Sequence, residues 1–263
     1  MAEDFVLQGH AGTIRARRWA IARPSWVALL CHGYGEHIGR YEHVAARLNA
    51  AGAVVFGQDH LGHGRSDGER VLCTDFEPVV DDMHRLAERA RGEYPALPQV
   101  LIGHSMGGML AARYLQRFGA ELACAVLSAP LLTGGLVDAL LAMEEIPDAP
   151  LDPNTLSRDP AVGAAYAADP LVYHGAFKRP TLEAFAAMLG TIRESGRLPV
   201  PVLWMHGTED PLVSYDAVRQ AWPGLRGDGA AEKAYAGAKH EIFNETNRDE
   251  VLDDLVGWVS AQV

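Results

Sequence analysis

The stretch PQVLIGHSMGGMLAARYLQRF, residues 98–118, constrains this chain more than any other. An apolar-leaning run, Pro98 to Ile102, enters a Gly-His-Ser-Met-Gly-Gly cluster, and helical spacing begins at once at 106. A strand that turns so abruptly into a helix exposes its turn residue beyond the end of the strand. Gly103 and Gly107 flank Ser105 at two residues' distance and keep side chains out of the turn. The pattern predicts a serine presented on a sharp strand-to-helix elbow. The competing reading is a purely structural glycine-rich turn.

The same rhythm recurs along the chain. A leading pair of strands is expected at 4–8 and 13–22, joined by a Gly-His-Ala-Gly turn. Further strands are expected at 26–33, 53–59, 98–104, 122–130, 200–207 and 232–238. Helical spacing marks 41–52, 75–92, 106–118, about 215–222 and about 248–260. Gly52 should stop the first of these, and Asp75 and Gly92 should cap the second. Continuous apolar runs such as WVALLC suit strands covered on both faces. Strand alternating with helix implies an α/β fold with a mostly parallel central sheet and helices on both faces. Residues 131–190 break the rhythm with several prolines, short helix-like pieces and no clear strand. They read as an inserted, mainly helical cap between core segments 1–130 and 191–263.

Charge removes several function classes. With 34 acidic and 23 basic residues the net charge is −11, unlike a nucleic-acid binder or a protein that docks tightly on anionic lipid. Neutral lipid is left open. No apolar run approaches the ~20 residues that span a bilayer. The acidic start Met1-Ala2-Glu3-Asp4 does not read as a secretory signal. Cys31, Cys73 and Cys124 are odd in number and widely spaced, so free thiols in a reducing, cytoplasmic compartment are expected, with a monomer as the oligomeric state.

A serine hydroxyl is a poor nucleophile until a base takes its proton and an oxyanion site stands beside it. Met106, first in its helix, would offer a backbone N–H where the helix dipole favours negative charge. The elbow predicts an acid and then a histidine later in the chain, each after a strand. LWMHGTEDPLV supplies Asp210, preferred over its neighbour Glu209 because it precedes Pro211 at the turn. AGAKHEIFNE supplies His240 just past the last strand. Asp210 would orient His240, and His240 would take the proton of Ser105. The loop HGYGEH should add a second oxyanion donor, the backbone N–H of Tyr34, whose side chain would pack at the pocket mouth. His60 and His63 in DHLGHGRSDG read as buried struts of a turn. No metal or cofactor is expected, since this chemistry requires none.

Taken together, HGYGEHIGRYEHVA, DHLGHGRSDG, GHSMGG, LSRDP with AYAADPLVYHG, HGTEDPLV and KHEIFNE resemble the monoacylglycerol lipases of the α/β-hydrolase superfamily, from about residue 30 onward. The resemblance implies hydrolysis of a monoacylglycerol to glycerol and fatty acid, with Ser105, Asp210 and His240 as triad and Tyr34 and Met106 at the oxyanion. It also implies a polar pocket for the glycerol head near Glu36, Arg40, His104 and Tyr166. Glu36 and Arg40 could equally form an ion pair that ties the loop down, and Tyr166 could simply pack in the cap. The stretch LVDALLAMEEI, 136–146, carries an apolar stripe on helical spacing, suited to an acyl-chain entrance touching a neutral membrane or micelle, or to ordinary core packing. The rival substrates are simple carboxylic esters and lysophospholipids. The non-enzymatic rival is a ligand-binding receptor on the same fold.

Overall fold

The computed structural model describes residues 2–263. Residue 1, at the head of the expected first core segment, lies outside the described residues. Eight strands form one sheet: β1 (Ala2–Gly9), β2 (Gly12–Trp19), β3 (Trp26–Cys31), β4 (Ala53–Gln58), β5 (Gln99–His104), β6 (Cys124–Ser128), β7 (Val202–Gly207) and β8 (Ala231–Tyr235). Their spatial order is β1-β2-β4-β3-β5-β6-β7-β8. β1 and β2 are antiparallel, as are β2 and β4, and every other pair is parallel.

The apolar strand runs owe their continuity to burial on both sides. In β3, Val27, Leu29 and Cys31 face one core, and Trp26, Ala28 and Leu30 face the other. The alternation repeats in β4, with Val54 and Phe56 against Ala53 and Val55. Helices α1 (Glu42–Ala50) and α8 (Arg248–Ser260) cover one face. Helices α2 (Glu77–Glu93), α3 (Met106–Phe118) and α7 (Tyr215–Leu225) cover the other. Gly52 follows the end of α1 with φ +89°, the left-handed geometry expected of a helix stop.

Several boundaries differ from the sequence expectation. Helix α2 begins at Glu77, two residues later than expected, and Asp75 still accepts from the Glu77 N–H at 2.9 Å, the bond that an N-cap side chain makes. Gly92 is inside α2, which closes at Tyr94. β2 stops at Trp19 and β8 at Tyr235, each three residues short of expectation.

The segment after β6 is helical but less fragmented than its prolines suggest. It holds α4 (Gly135–Leu141), α5 (Pro160–Ala168) and α6 (Arg179–Ser195). Helix α6 has 17 residues and runs straight through position 190. Gly190 within it weakened the helical signal. Its Leu182, Phe185, Met188 and Ile192 are buried in the same core as α3, so this helix packs on the body of the molecule. The stripe at 136–146 is also shorter than expected. α4 ends at Leu141, leaving Met143 past the helix end and 43% exposed, while Val137 and Leu140 are buried. Asp159 caps α5 by accepting from the Ala161 N–H at 2.9 Å, with Pro160 at the first helical position.

The elbow sits where α3 meets the ends of β3 and β5. Ser105 has φ +56°, a left-handed conformation that costs about 1–3 kcal/mol in a non-glycine residue. Four backbone hydrogen bonds hold it: its N–H donates to Ser128 O at 3.0 Å, and its carbonyl accepts from Gly108 at 2.9 Å, Met109 at 3.1 Å and Leu131 at 3.0 Å. A Cβ on Gly107 would collide with the Cys31 carbonyl and lie 2.6 Å from that of His32. Gly107→Ala is therefore expected to lower unfolding stability by about 3 kcal/mol, as overpacking against backbone does. Urea denaturation measures this, and a loss under about 0.5 kcal/mol, the range of neutral surface changes, would contradict the fit.

Candidate active site

Ser105, His240 and Glu241 line one cavity with the 33–40 loop. It encloses about 670 Å³ including its open mouth. Its polar lining is Glu36, Arg40, His104, Tyr166 and Glu241 beside Ser105. Its apolar lining includes Leu136, Val137, Leu151 and Leu156 from the inserted segment, and Leu182 and Phe185 from α6.

Asp210 lies in the turn after β7 and His240 in the loop after β8. The His240 Nδ1 is 2.7 Å from Asp210 Oδ2. The other carboxylate oxygen accepts from the N–H groups of Leu212 and Val213, both at 2.9 Å. Burial works against the Asp210 charge, but His240 and its hydrogen bonds prevail and hold the carboxyl below the usual range. In His240 burial favours the neutral ring, and the Asp210 carboxylate overcomes it, raising the pKa above 6.5. Glu209 points elsewhere and is exposed, so the geometry separates the two neighbouring acids.

The backbone N–H groups of Tyr34 and Met106 donate to no partner among the described residues. The Tyr34 ring stacks on Phe177 at 4.8 Å and meets Phe185 edge-on, which packs the loop against the inserted segment. Glu36 accepts from the Gly33 N–H and the Tyr41 hydroxyl, each at 2.7 Å, and so braces the same loop. Arg40 Nη1 donates to Glu36 at 2.7 Å. The pair braces the loop, and both of its residues line the cavity. Tyr166 lies under the Arg40 guanidinium at 5.0 Å. His104 Nδ1 faces the Ser128 hydroxyl and carbonyl at 3.1 and 3.2 Å, and burial lowers its pKa to about 4. His32, His60 and His63 are buried struts, with His32 Nε2 accepting from the His60 N–H at 3.0 Å.

A family model described as serine aminopeptidase, S33, matches residues 22–247. The monoacylglycerol lipase of Mycolicibacterium smegmatis is 38% identical over 247 residues, covering 90% of this chain and 88% of its own. The chain belongs to the monoacylglycerol lipase family. The human monoglyceride lipase is 30% identical over 251 residues, covering 90% of this chain and 83% of that one. A crystal structure of a Paleococcus ferrophilus monoacylglycerol lipase superposes with a TM-score of 0.80 at 26% identity, covering 94% and 98% of the two chains. The α/β-hydrolase fold is thus shared with solved members of the monoacylglycerol lipase family.

Three residues of this family member escaped the sequence reading. His206 on β7 accepts from Trp204 Nε1 at its Nδ1, 3.0 Å away. Indole N–H only donates, so the ring is neutral and its Nε2–H donates to Asp210 Oδ2 at 3.2 Å and Val213 O at 2.9 Å. Glu245, its side chain fully buried, accepts from the Lys239 N–H and Arg158 and ties the inserted segment to the loop of His240. Glu241 grips Arg40 through both oxygens at 2.6 and 2.8 Å. Proximity to a motif was the only signal any of them carried. An NMR titration of His240 is expected to place its midpoint above 6.5. Asp210→Asn removes the charge that raises it and should move the midpoint below that value. A midpoint unmoved by this substitution would mean that Asp210 does not control the imidazole.

Proposed function

We infer that this protein is a serine ester hydrolase that cleaves monoacylglycerols to glycerol and free fatty acid. The observation that carries the chemistry is the 2.7 Å contact of His240 with a buried Asp210 in the cavity that also presents Ser105 on its elbow. The substrate follows from the Mycolicibacterium relative, a monoacylglycerol lipase matched along nearly the whole chain.

Ser105 attacks the ester carbonyl while His240 takes its proton, and Asp210 stabilises the imidazolium that forms. The backbone N–H groups of Tyr34 and Met106 receive the oxyanion, the latter at the start of α3. Collapse of the tetrahedral intermediate breaks the bond to the glycerol oxygen, and His240 returns the proton to the leaving alkoxide. Water, deprotonated by His240, then attacks the acyl-enzyme and frees the fatty acid and Ser105. The acyl chain lies along the apolar lining, where each CH₂ buried contributes about 0.8 kcal/mol. The glycerol hydroxyls meet Glu36, Arg40, His104 and Tyr166, whose polar atoms a buried polyol would need. Residues 131–190 cover this site as a cap around a monomeric core. Leu136 and Met143, 37% and 43% exposed, form its contact with a neutral membrane or micelle. No helix among the described residues is long and apolar enough to cross a membrane.

Glycerol and fatty acid release should be faster from a monoacylglycerol than from the matching diacylglycerol or lysophospholipid. Ser105→Ala should cut kcat by on the order of 10⁶ and abolish labelling by an organophosphonate. Turnover of simple esters without monoacylglycerol preference would make the protein a general carboxylesterase. Labelling that survives Ser105→Ala would leave the receptor reading standing. The pH profile follows from the raised His240 pKa: the base is neutral at high pH and lost as pH falls. The acidic limb of kcat/KM should therefore lie above 6.5, and a rate flat down to about pH 4 would remove His240 as the base.

A further inference from the structure

Arg40 is the one arginine or lysine among the described residues that line the cavity, and three of its five N–H donors are engaged. Its Nη1 donates to Glu36 at 2.7 Å and to Glu241 at 2.6 Å, and its Nη2 donates to Glu241 at 2.8 Å. The outer two-pronged edge, Nη1 with Nη2, is therefore occupied by Glu241, while Nε–H and the second Nη2–H have no hydrogen-bond partner among the described residues. One face of the guanidinium is covered by Tyr166. Both carboxylates are buried, at 4% exposure each, so two negative charges surround one positive charge out of water. The cluster has one net negative charge, and Asp210 adds another nearby.

We propose that Glu241 sets the head-group specificity of this site, admitting uncharged polyols and rejecting phosphorylated ones by keeping the buried cluster around Arg40 net negative. This rests on the assignment of monoacylglycerol as substrate. A glycerol hydroxyl donates to a carboxylate lone pair without disturbing the clamp. A phosphate has no hydrogen to give as a dianion. It would bring two more negative charges to a buried cluster in which two carboxylates already outnumber one guanidinium. Rejection of this kind is specificity by repulsion, requiring no new contact to the favoured substrate. Glu36 cannot be the adjustable element, because it also holds the Gly33 N–H and Tyr41 in the loop beside Ser105. The Glu241 side chain holds Arg40 and Asn244 alone, and its backbone N–H bonds Leu156 O whatever the side chain. In Glu241→Gln the cluster becomes neutral, and Arg40 keeps Glu36.

The test compares kcat/KM for 1-lauroylglycerol with that for 1-lauroyl lysophosphatidic acid, which differ by one phosphate. Measurements are made on wild type, Glu241→Gln and Glu241→Asp. The ratio of phosphorylated to neutral substrate should rise about tenfold in the Gln variant and stay within about twofold in the charge-keeping Asp variant. A merely structural role would depress both substrates together, and a Gln ratio within about twofold of wild type overturns the proposal while leaving the substrate assignment standing. Should the Gln variant not fold, wild type alone decides. Glycerol should compete with 1-lauroylglycerol, and sn-glycerol 3-phosphate at the same concentration should not. Equal inhibition by the two overturns the proposal. Wild type that leaves 1-lauroylglycerol intact overturns the substrate assignment and the proposal with it.

Discussion

The start of α3 presses directly on the backbone that ends β3, with the α carbon of Gly107 against the carbonyl groups of Cys31 and His32. Everything at the site is referred to that contact. It draws Ser105 into its left-handed conformation, places Met106 at the head of a helix, and brings the 33–40 loop alongside. Gly103 is as tightly constrained, because a Cβ there would meet the Gly107 carbonyl and lie 2.9 Å from Ala111 Cβ. The strain at Ser105 is supported by two backbone hydrogen bonds that reach Ser128 of β6 and Leu131 after it, and by two more within the start of α3. The sheet and helix thus hold in place a conformation the serine would not choose alone.

Two buried charge clusters flank that elbow, built on opposite principles. Asp210 receives four donors, two backbone and two imidazole, around a single carboxylate. Its charge is fully compensated in place, which raises the basicity of His240 without letting the acid move. The Glu36, Arg40 and Glu241 cluster has carboxylate to spare. Breaking such a buried set by removing one member is costly, although its net contribution to stability is small. Its value is positional: Glu36 braces the loop of Tyr34, and Glu241 governs what Arg40 can bind. Glu245 links the two regions mechanically by holding the His240 loop to Arg158 of the inserted segment.

Patterns short in sequence and strict in stereochemistry were legible from the chain alone. The strand order of apolar runs, the elbow, and the choice of Asp210 over Glu209 all follow from rules a few residues long. Helix ends were less legible: Asp75 makes its capping bond to the Glu77 N–H, but the helix starts only at Glu77 and runs past Gly92 to Glu93. Helix α6 was obscured by Pro180 at its start and Gly190 within it, and it forms because Leu182, Phe185 and Met188 find an apolar surface on α3 and the core. Local propensity cannot report a partner that lies far away in the chain.

The sequence by itself determined the alternation of strand and helix, the serine on its elbow, and the order in which acid and histidine follow. These depend on local backbone geometry and on periodicity. Only the tertiary structure decided that Arg40 is shared between Glu36 and Glu241, some two hundred residues apart. It alone decided that His206 is a neutral donor to Asp210, and that Glu245 anchors the loop of His240. A charge or an imidazole carries no mark of its partner in the chain. Its ionisation, tautomer and role are set by whichever groups the fold brings within 3 Å and seals from water.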